Sequence, residues 1–224
     1  AAGLEAFKST LMYAKEKGLL TISDAKRGDI GSTAEAYAEA YLSDNAAFPS
    51  DAVTINGYLG QDGVLPFLKY CGLNGKGVYI LVKTSNPSSG DFQDQILKDG
   101  KKVFEMVAEK VNTWGKEFIG NSGYSAVGAV VGATYPQEAQ KLRSIMPSTP
   151  FLIPGFGTQG GTAQTAIVSM DKYNLGGIVN SSRGIIFAYR LKEFEEYASK
   201  NWQTAVMLAA KKMRNDLQEI KNSV

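Results

Sequence analysis

Six short apolar runs alternate with helix-like segments along most of this chain, and no other feature constrains the fold as tightly. The runs fall at 19–24, 51–56, 78–82, 126–131, 151–153 and 177–180. Between them, three- and four-residue apolar spacing predicts helices at 33–42, 62–70, 102–114, 136–145 and from the loop after 153 to Met170. A helix over 1–17 precedes the first run, with Leu4, Phe7, Leu11 and Ala14 on one face and Gly18 as its stop; the stretch 187–220 reads as mostly helix. Val78-Tyr79-Ile80-Leu81-Val82 is continuous in apolarity, as a strand buried on both faces should be. Strict alternation of this kind gives a parallel sheet with helices outside it.

Two parallel architectures compete. A doubly wound sheet accommodates six strands, but its phosphate loop follows the first strand, and no G-x-G-x-x-G stands there. A (β/α)8 TIM barrel places its phosphate site after strands 7 and 8. Here a glycine-rich loop, Pro154-Gly155-Phe156-Gly157-Thr158-Gln159-Gly160-Gly161, and the turn Asn180-Ser181-Ser182-Arg183 follow the last two runs. That position favours the barrel. The chain opens inside a helix, so its runs are read as strands 3–8 of one TIM-barrel domain spanning 1–224, with the first two βα units missing.

The first run ends in Asp24-Ala25-Lys26-Arg27-Gly28-Asp29, three charges spaced D-x-K-x-x-D. Strand side chains alternate, so Asp24 and Lys26 point the same way from the strand's C-terminal end. Asp29 falls in the loop beyond, ahead of the helix-start candidates Ser32 and Thr33. A lysine between carboxylates stays protonated, and such an ammonium can stabilise a developing carbanion and then protonate it. The same pattern also describes a strand end with solvated charges. At the third run, Lys83 is read as a strand-end residue with its ammonium in solvent. Asn56 and Asn180 are read as polar groups satisfying nearby backbone.

Other classes are excluded on composition. There is no histidine, which removes Ser-His-Asp and Cys-His nucleophiles and any His-ligated metal. A formal net charge of +2 without a Lys/Arg block gives no case for nucleic acid. No apolar run reaches the ~20 residues of a membrane span. The lone Cys71 and the lack of signal-peptide features at the N-terminus fit a cytoplasmic setting. Glycines at 155, 157, 160 and 161 let backbone N–H groups approach an anion, and Arg183 adds a guanidinium suited to phosphate.

With Asp24-Ala25-Lys26-Arg27-Gly28-Asp29-Ile30-Gly31-Ser32-Thr33 and Thr84-Ser85-Asn86-Pro87 in view, the sequence resembles the orotidine 5'-monophosphate decarboxylases, in the branch carrying D-A-K-R-G-D-I-G-S-T. The resemblance implies cofactor-free decarboxylation of OMP to UMP in pyrimidine biosynthesis, with no metal. It implies that Lys26, Asp24 and Asp29 are catalytic. It further implies that Ile30 and Thr33, with Asp29, reach a neighbouring subunit's site in a homodimer with shared active sites. Thr84 and Ser85 match positions at the pyrimidine, Pro154 and Gln159 match the closing loop, and Arg183 matches the phosphate arginine. Two departures stand out: the family's first two strands, with their aspartate and lysine, are not represented, and Asn56-Gly57-Tyr58 replaces N-P-Y. Rival readings are a metal-dependent sugar-phosphate aldolase of the same barrel superfamily and a non-catalytic nucleotide-binding chain.

Overall fold

The computed structural model describes residues 1–157, 160–198 and 201–223. Its six strands are β1 (Ile22–Arg27), β2 (Ala52–Ile55), β3 (Gly77–Lys83), β4 (Val127–Val131), β5 (Phe151–Ile153) and β6 (Gly177–Val179). They form one sheet in the order β1-β2-β3-β4-β5-β6, every neighbouring pair parallel. The helices are α1 (Ala2–Glu16), α2 (Gly31–Leu42), α3 (Gln61–Asn74), α4 (Val103–Gly115), α5 (Pro136–Ile145), α6 (Ala163–Ile167), α7 (Ser182–Ile186) and α8 (Trp202–Ser223).

Chain order equals spatial order, and this decides the architecture. Each crossover is right-handed as a rule, and each here steps one strand the same way, so the helices between strands collect on one face. A doubly wound sheet reverses direction at a switch point and covers both faces; this sheet has no such reversal. It is a curled, open part of a barrel.

The two faces carry separate cores. Towards the helices point Val53, Ile55, Val78, Ile80, Val127, Ala129, Phe151 and Ile153, packed with Phe67, Phe104, Leu142 and other helix residues. The alternate positions Ala52, Tyr79, Val130 and Leu152 form a second cluster with Ile22 and Leu81 on the concave face. Gly128 lies among them because Tyr79 occupies its side-chain space: a Cβ there would stand 2.5 Å from the tyrosine ring.

At the N-terminal end of the sheet Arg143 of α5 acts as a fastener. Its guanidinium donates to the carbonyls of Met146, Thr149, Ser169 and Gly176 at 2.7–3.2 Å and lies 3.7 Å from the Phe151 ring centroid. Burial pulls its pKa down to about 10.

Most predicted elements are found within a few residues. The helix expected to run to Met170 is only α6, ending at Ile167. The stretch 187–220 begins with two short 3₁₀ segments, Ala188–Arg190 and Lys192–Tyr197, before α8. Leu191 is extended between them, and its backbone break separates the helical pieces. Ser32 and Thr33 do not cap α2: it starts at Gly31, and the N-cap position is Ile30 without a side-chain bond. The nearby carboxylate of Asp29 bonds the Ile30 N–H instead, at 2.8 Å.

Candidate active site

A cavity of about 570 Å³ opens at the C-terminal ends of the strands. Its walls come from both edges and the middle of the sheet: Asp24 and Lys26 on β1, Thr84, Ser85 and Asn86 after β3, Pro154 to Phe156 after β5, and Asn180 to Arg183 after β6. Leu81, Val130 and Leu152 of the concave face make an apolar floor. This volume lies within the range of small-molecule sites, which combine an apolar body with a few polar groups.

β1 is irregular where it enters the cavity. Ser23 pairs with Val53 and Arg27 with Ile55, so residues 24–26 face Thr54 alone. Bulges of this kind re-aim side chains beside functional sites. Lys26 takes a φ of +46°, a left-handed conformation costing an L-residue about 1–3 kcal/mol. The outcome is that Asp24 and Lys26 both enter the cavity, with Lys26 Nζ donating to Asp24 Oδ1 at 2.5 Å. Thr54 Oγ1 donates to the same carboxylate oxygen at 3.0 Å.

The wall after β3 is clamped by Gln93. Its Oε1 accepts from Thr84 N at 2.9 Å and its Nε2 donates to Thr84 Oγ1 at 2.8 Å. Thr84 Oγ1 donates in turn to Asn86 Oδ1 at 2.6 Å. Lys83 corrects its sequence reading. A register shift between Leu81 and Lys83 turns this residue away from the cavity, and its side chain is 1% exposed, with Nζ 2.8 Å from Asp94 Oδ2. The ammonium also lies 4.6 Å from the Tyr135 ring centroid. A solvated head is therefore replaced by a buried ammonium paired with a half-buried carboxylate, which secures the segment carrying Thr84 and Gln93.

The glycine-rich loop folds back on itself. Gly155, Gly157 and Gly160 have φ of 97°, 76° and 89°, and Gly161 N donates to Gly155 O at 3.0 Å. A Cβ at Gly161 would come within 2.7 Å of that carbonyl. Ser181 Oγ donates to Phe156 O at 3.0 Å, joining this loop to the turn after β6. Arg183, in the first turn of α7, lines the cavity, and among the described residues its guanidinium makes no hydrogen bond or ion pair. The reading of Asn56 holds, its Oδ1 accepting from Tyr58 N. That of Asn180 does not: its Oδ1 is buried without a partner among the described residues, beside the cavity.

Of the residues singled out in the sequence, Asp24, Lys26, Thr84, Ser85, Pro154 and Arg183 meet in this cavity. Asp29, Ile30 and Thr33 are not among its lining residues; Ile30 and Thr33 are exposed, and Ile30 borders a separate hollow on the flank of α2 and α3. Gln159 lies outside the described residues. Among the described residues no three Asp, Glu or Cys side chains are grouped to hold a metal ion.

The profile of the orotidine 5'-phosphate decarboxylase / HUMPS family matches residues 2–197. The chain belongs to this family. It is 46% identical over 222 residues to the orotidine 5'-phosphate decarboxylase of Caldicellulosiruptor bescii, covering 96% of this chain and 71% of that protein. It is likewise 46% identical over 217 residues to the Clostridium perfringens (strain SM101) protein of the same name, covering 97% and 73%. Among solved structures, the fold is similar to Leishmania donovani OMP decarboxylase, with a TM-score of 0.77, 29% identity, and coverage of 99% of this chain and 76% of that one. A putative orotidine 5'-phosphate decarboxylase from Streptomyces avermitilis gives a TM-score of 0.78 at 31% identity, covering 97% and 70%.

Sequence reasoning missed Gln93, Thr54 and the floor residues Val130 and Leu152. The floor had a signal: each lies on the strand face opposite the helix core, near a C-terminal end. Gln93 had none, because its contact with Thr84 closes an irregular loop.

Proposed function

We propose that this chain decarboxylates orotidine 5'-monophosphate to UMP without a metal or organic cofactor, as a step of pyrimidine biosynthesis in the cytoplasm. The observation that carries the proposal is the Lys26–Asp24 ion pair lining the same cavity as Arg183. The bond between C6 and the carboxylate carbon breaks, carbon dioxide leaves, and the electron pair stays on C6. The Lys26 ammonium stabilises that pair and delivers a proton to it. Asp24 holds the ammonium in place through the 2.5 Å bond. One preoriented charge in a water-poor site contributes about 3–4 kcal/mol to lowering a barrier.

Arg183 holds the phosphate, and Pro154 and Gln159 belong to the closing segment of the glycine-rich loop, whose Gly157, Gly160 and Gly161 N–H groups are bonded within the loop rather than offered to the anion. Thr84 and Ser85 meet the pyrimidine, and the Gln93 clamp keeps their segment in place. Binding energy from the phosphate, remote from C6, serves the reacting end. The six strands correspond to strands 3–8 of a (β/α)8 barrel, and 1–224 belongs to that one domain. The protein works as a homodimer in which Asp29, Ile30 and Thr33 serve the neighbouring subunit's site. The exposure of Ile30 and Thr33, and the place of Ile30 at the hollow flanking α2 and α3, suit that role.

The test is Lys26→Ala in the full-length protein. Turnover of OMP should fall by several orders of magnitude, while UMP binding persists, because the ammonium acts mainly in the transition state. Near-normal turnover would remove Lys26 from its role. Undiminished decarboxylation in excess EDTA separates this reading from the metal-dependent aldolase.

A further inference from the structure

Thr54 is fully buried, is not among the residues lining the cavity, and stands on the same face of β2 as Ala52. It is the single β2 residue opposite the three-residue bulge of β1. Its hydroxyl does two things there. Oγ1 accepts from the backbone N–H of Lys26 at 2.9 Å, and it donates to Asp24 Oδ1 at 3.0 Å. A threonine hydroxyl has one proton and two lone pairs, so both bonds form at once.

The hydroxyl thus stands in for a ladder carbonyl at the one place where β1 departs from regular pairing. Lys26, at φ +46°, turns its N–H to this side chain. Residues held in such conformations persist when their surroundings over-determine them, and here Thr54 supplies a bond to each end of the unit. One bond fixes the main chain from which the Lys26 side chain leaves. The other fixes the carboxylate oxygen that the Lys26 ammonium grips at 2.5 Å. Backbone N–H, hydroxyl, carboxylate and ammonium form a closed ring of contacts.

We infer that Thr54 is the positioning residue of the decarboxylation site, aligning Lys26 and Asp24 through its hydroxyl without touching the substrate. The inference rests on the proposed roles of those two residues. It requires specifically the hydroxyl, since a side chain of the same shape without it would fill the space equally well. Groups that act at the reacting centre lose much of their effect when displaced by a fraction of an ångström to one ångström. The phosphate end, formed by loops after β5 and β6, is attached to other strands and is unaffected.

The experiment compares Thr54→Val, Thr54→Ser and Lys26→Ala in the full-length protein, reading kcat and KM for OMP, the Kd for UMP and the thermal midpoint. Thr54→Val should lower kcat by about 10- to 100-fold with UMP affinity changed less than about threefold, and Thr54→Ser should restore kcat to within about threefold of wild type. A hydroxyl that served packing alone would lower the thermal midpoint without that kcat-specific loss. Should Thr54→Val fail to fold, Thr54→Ala and Thr54→Ser both remove the γ-methyl and differ in the hydroxyl, so equal kcat in that pair overturns the inference. Wild-type kcat in Thr54→Val with a collapsed Lys26→Ala overturns it alone. Near-normal turnover in Lys26→Ala overturns the underlying assignment of the site as well.

Discussion

Replacing Asp94 by alanine strands an ammonium that the fold has taken almost wholly out of water. The Lys83 side chain is 1% exposed, whereas Asp94 is 35% exposed and has a second cation, Lys102 Nζ, 3.3 Å from its other oxygen. The two halves of this pair therefore differ in cost. Asp94→Ala leaves Lys83 buried without its counter-charge, which costs about 3–5 kcal/mol. Lys83→Met removes the buried charge and fills its space with apolar atoms, leaving a carboxylate that water and Lys102 still serve, so about 1 kcal/mol or less is expected. At about 2–4 °C per kcal/mol for a chain of this size, the thermal midpoint should fall by about 6–20 °C for Asp94→Ala and only a few degrees for Lys83→Met. The double variant should resemble Lys83→Met, since the stranded charge is gone. The pH dependence has a defined sign. The hydrogen bond from Lys83, with further help from Lys102, holds the Asp94 carboxyl below its ordinary value of 3.8. Its stabilisation is present above that value and is lost as pH falls through the lowered one, so wild type and Asp94→Ala should converge in acid. Thermal and urea unfolding monitored by tryptophan fluorescence measures all of this. Equal losses for the two single variants, or a larger one for Lys83→Met, would refute the reasoning.

Arg183→Ala should weaken OMP and UMP binding by about 10- to 100-fold, the weight of a charge-assisted contact, and leave uridine binding unchanged. Equal loss on the phosphate-free nucleoside in titration calorimetry would rule Arg183 out as the phosphate ligand. If the proposed dimer shares its sites, Asp29→Ala and Lys26→Ala should each be nearly inactive alone, while mixing them with subunit exchange restores about a quarter of wild-type turnover through one complete site per heterodimer. No recovery, with exchange verified by native mass spectrometry, would place Asp29 in its own subunit's site.

How legible the molecule was in its sequence depended on what kind of force places each residue. The helix-facing strand core is set by apolar continuity, so runs such as 78–82 and 151–153 fall where periodicity puts them. β1 was displaced because Leu19 and Leu20 are apolar yet exposed, Leu20 at 88%, while the strand pairs at Ile22, Ser23 and Arg27 and carries the charged Asp24-Ala25-Lys26 bulge between them. A strand whose end faces a cavity has no reason to be apolar there. Asp24, Lys26 and Arg183 were readable because charge at a strand's C-terminal end is chemically specific. Lys83 was misread because a register shift at Val82 reverses the face that simple alternation assigns. Thr54 was invisible for the opposite reason: threonine is an ordinary strand residue, and only the three-dimensional bulge reveals what its hydroxyl meets.

The charge pair and the arginine sit at opposite edges of the sheet, on β1 and just after β6, with five strand pairings between them. A ligand that touches both works as a caliper: it measures the curvature accumulated across every pairing and binds best at one value of it. Occupancy should therefore be felt far from the contacts, as slowed amide exchange along β2 to β5, including β2, none of whose residues line the cavity. By the same geometry, anything that flattens the sheet at a single ladder opens the distance between Lys26 and Arg183. Fidelity of the chemistry is thus carried by the stiffness of the whole sheet rather than by the site's own residues alone.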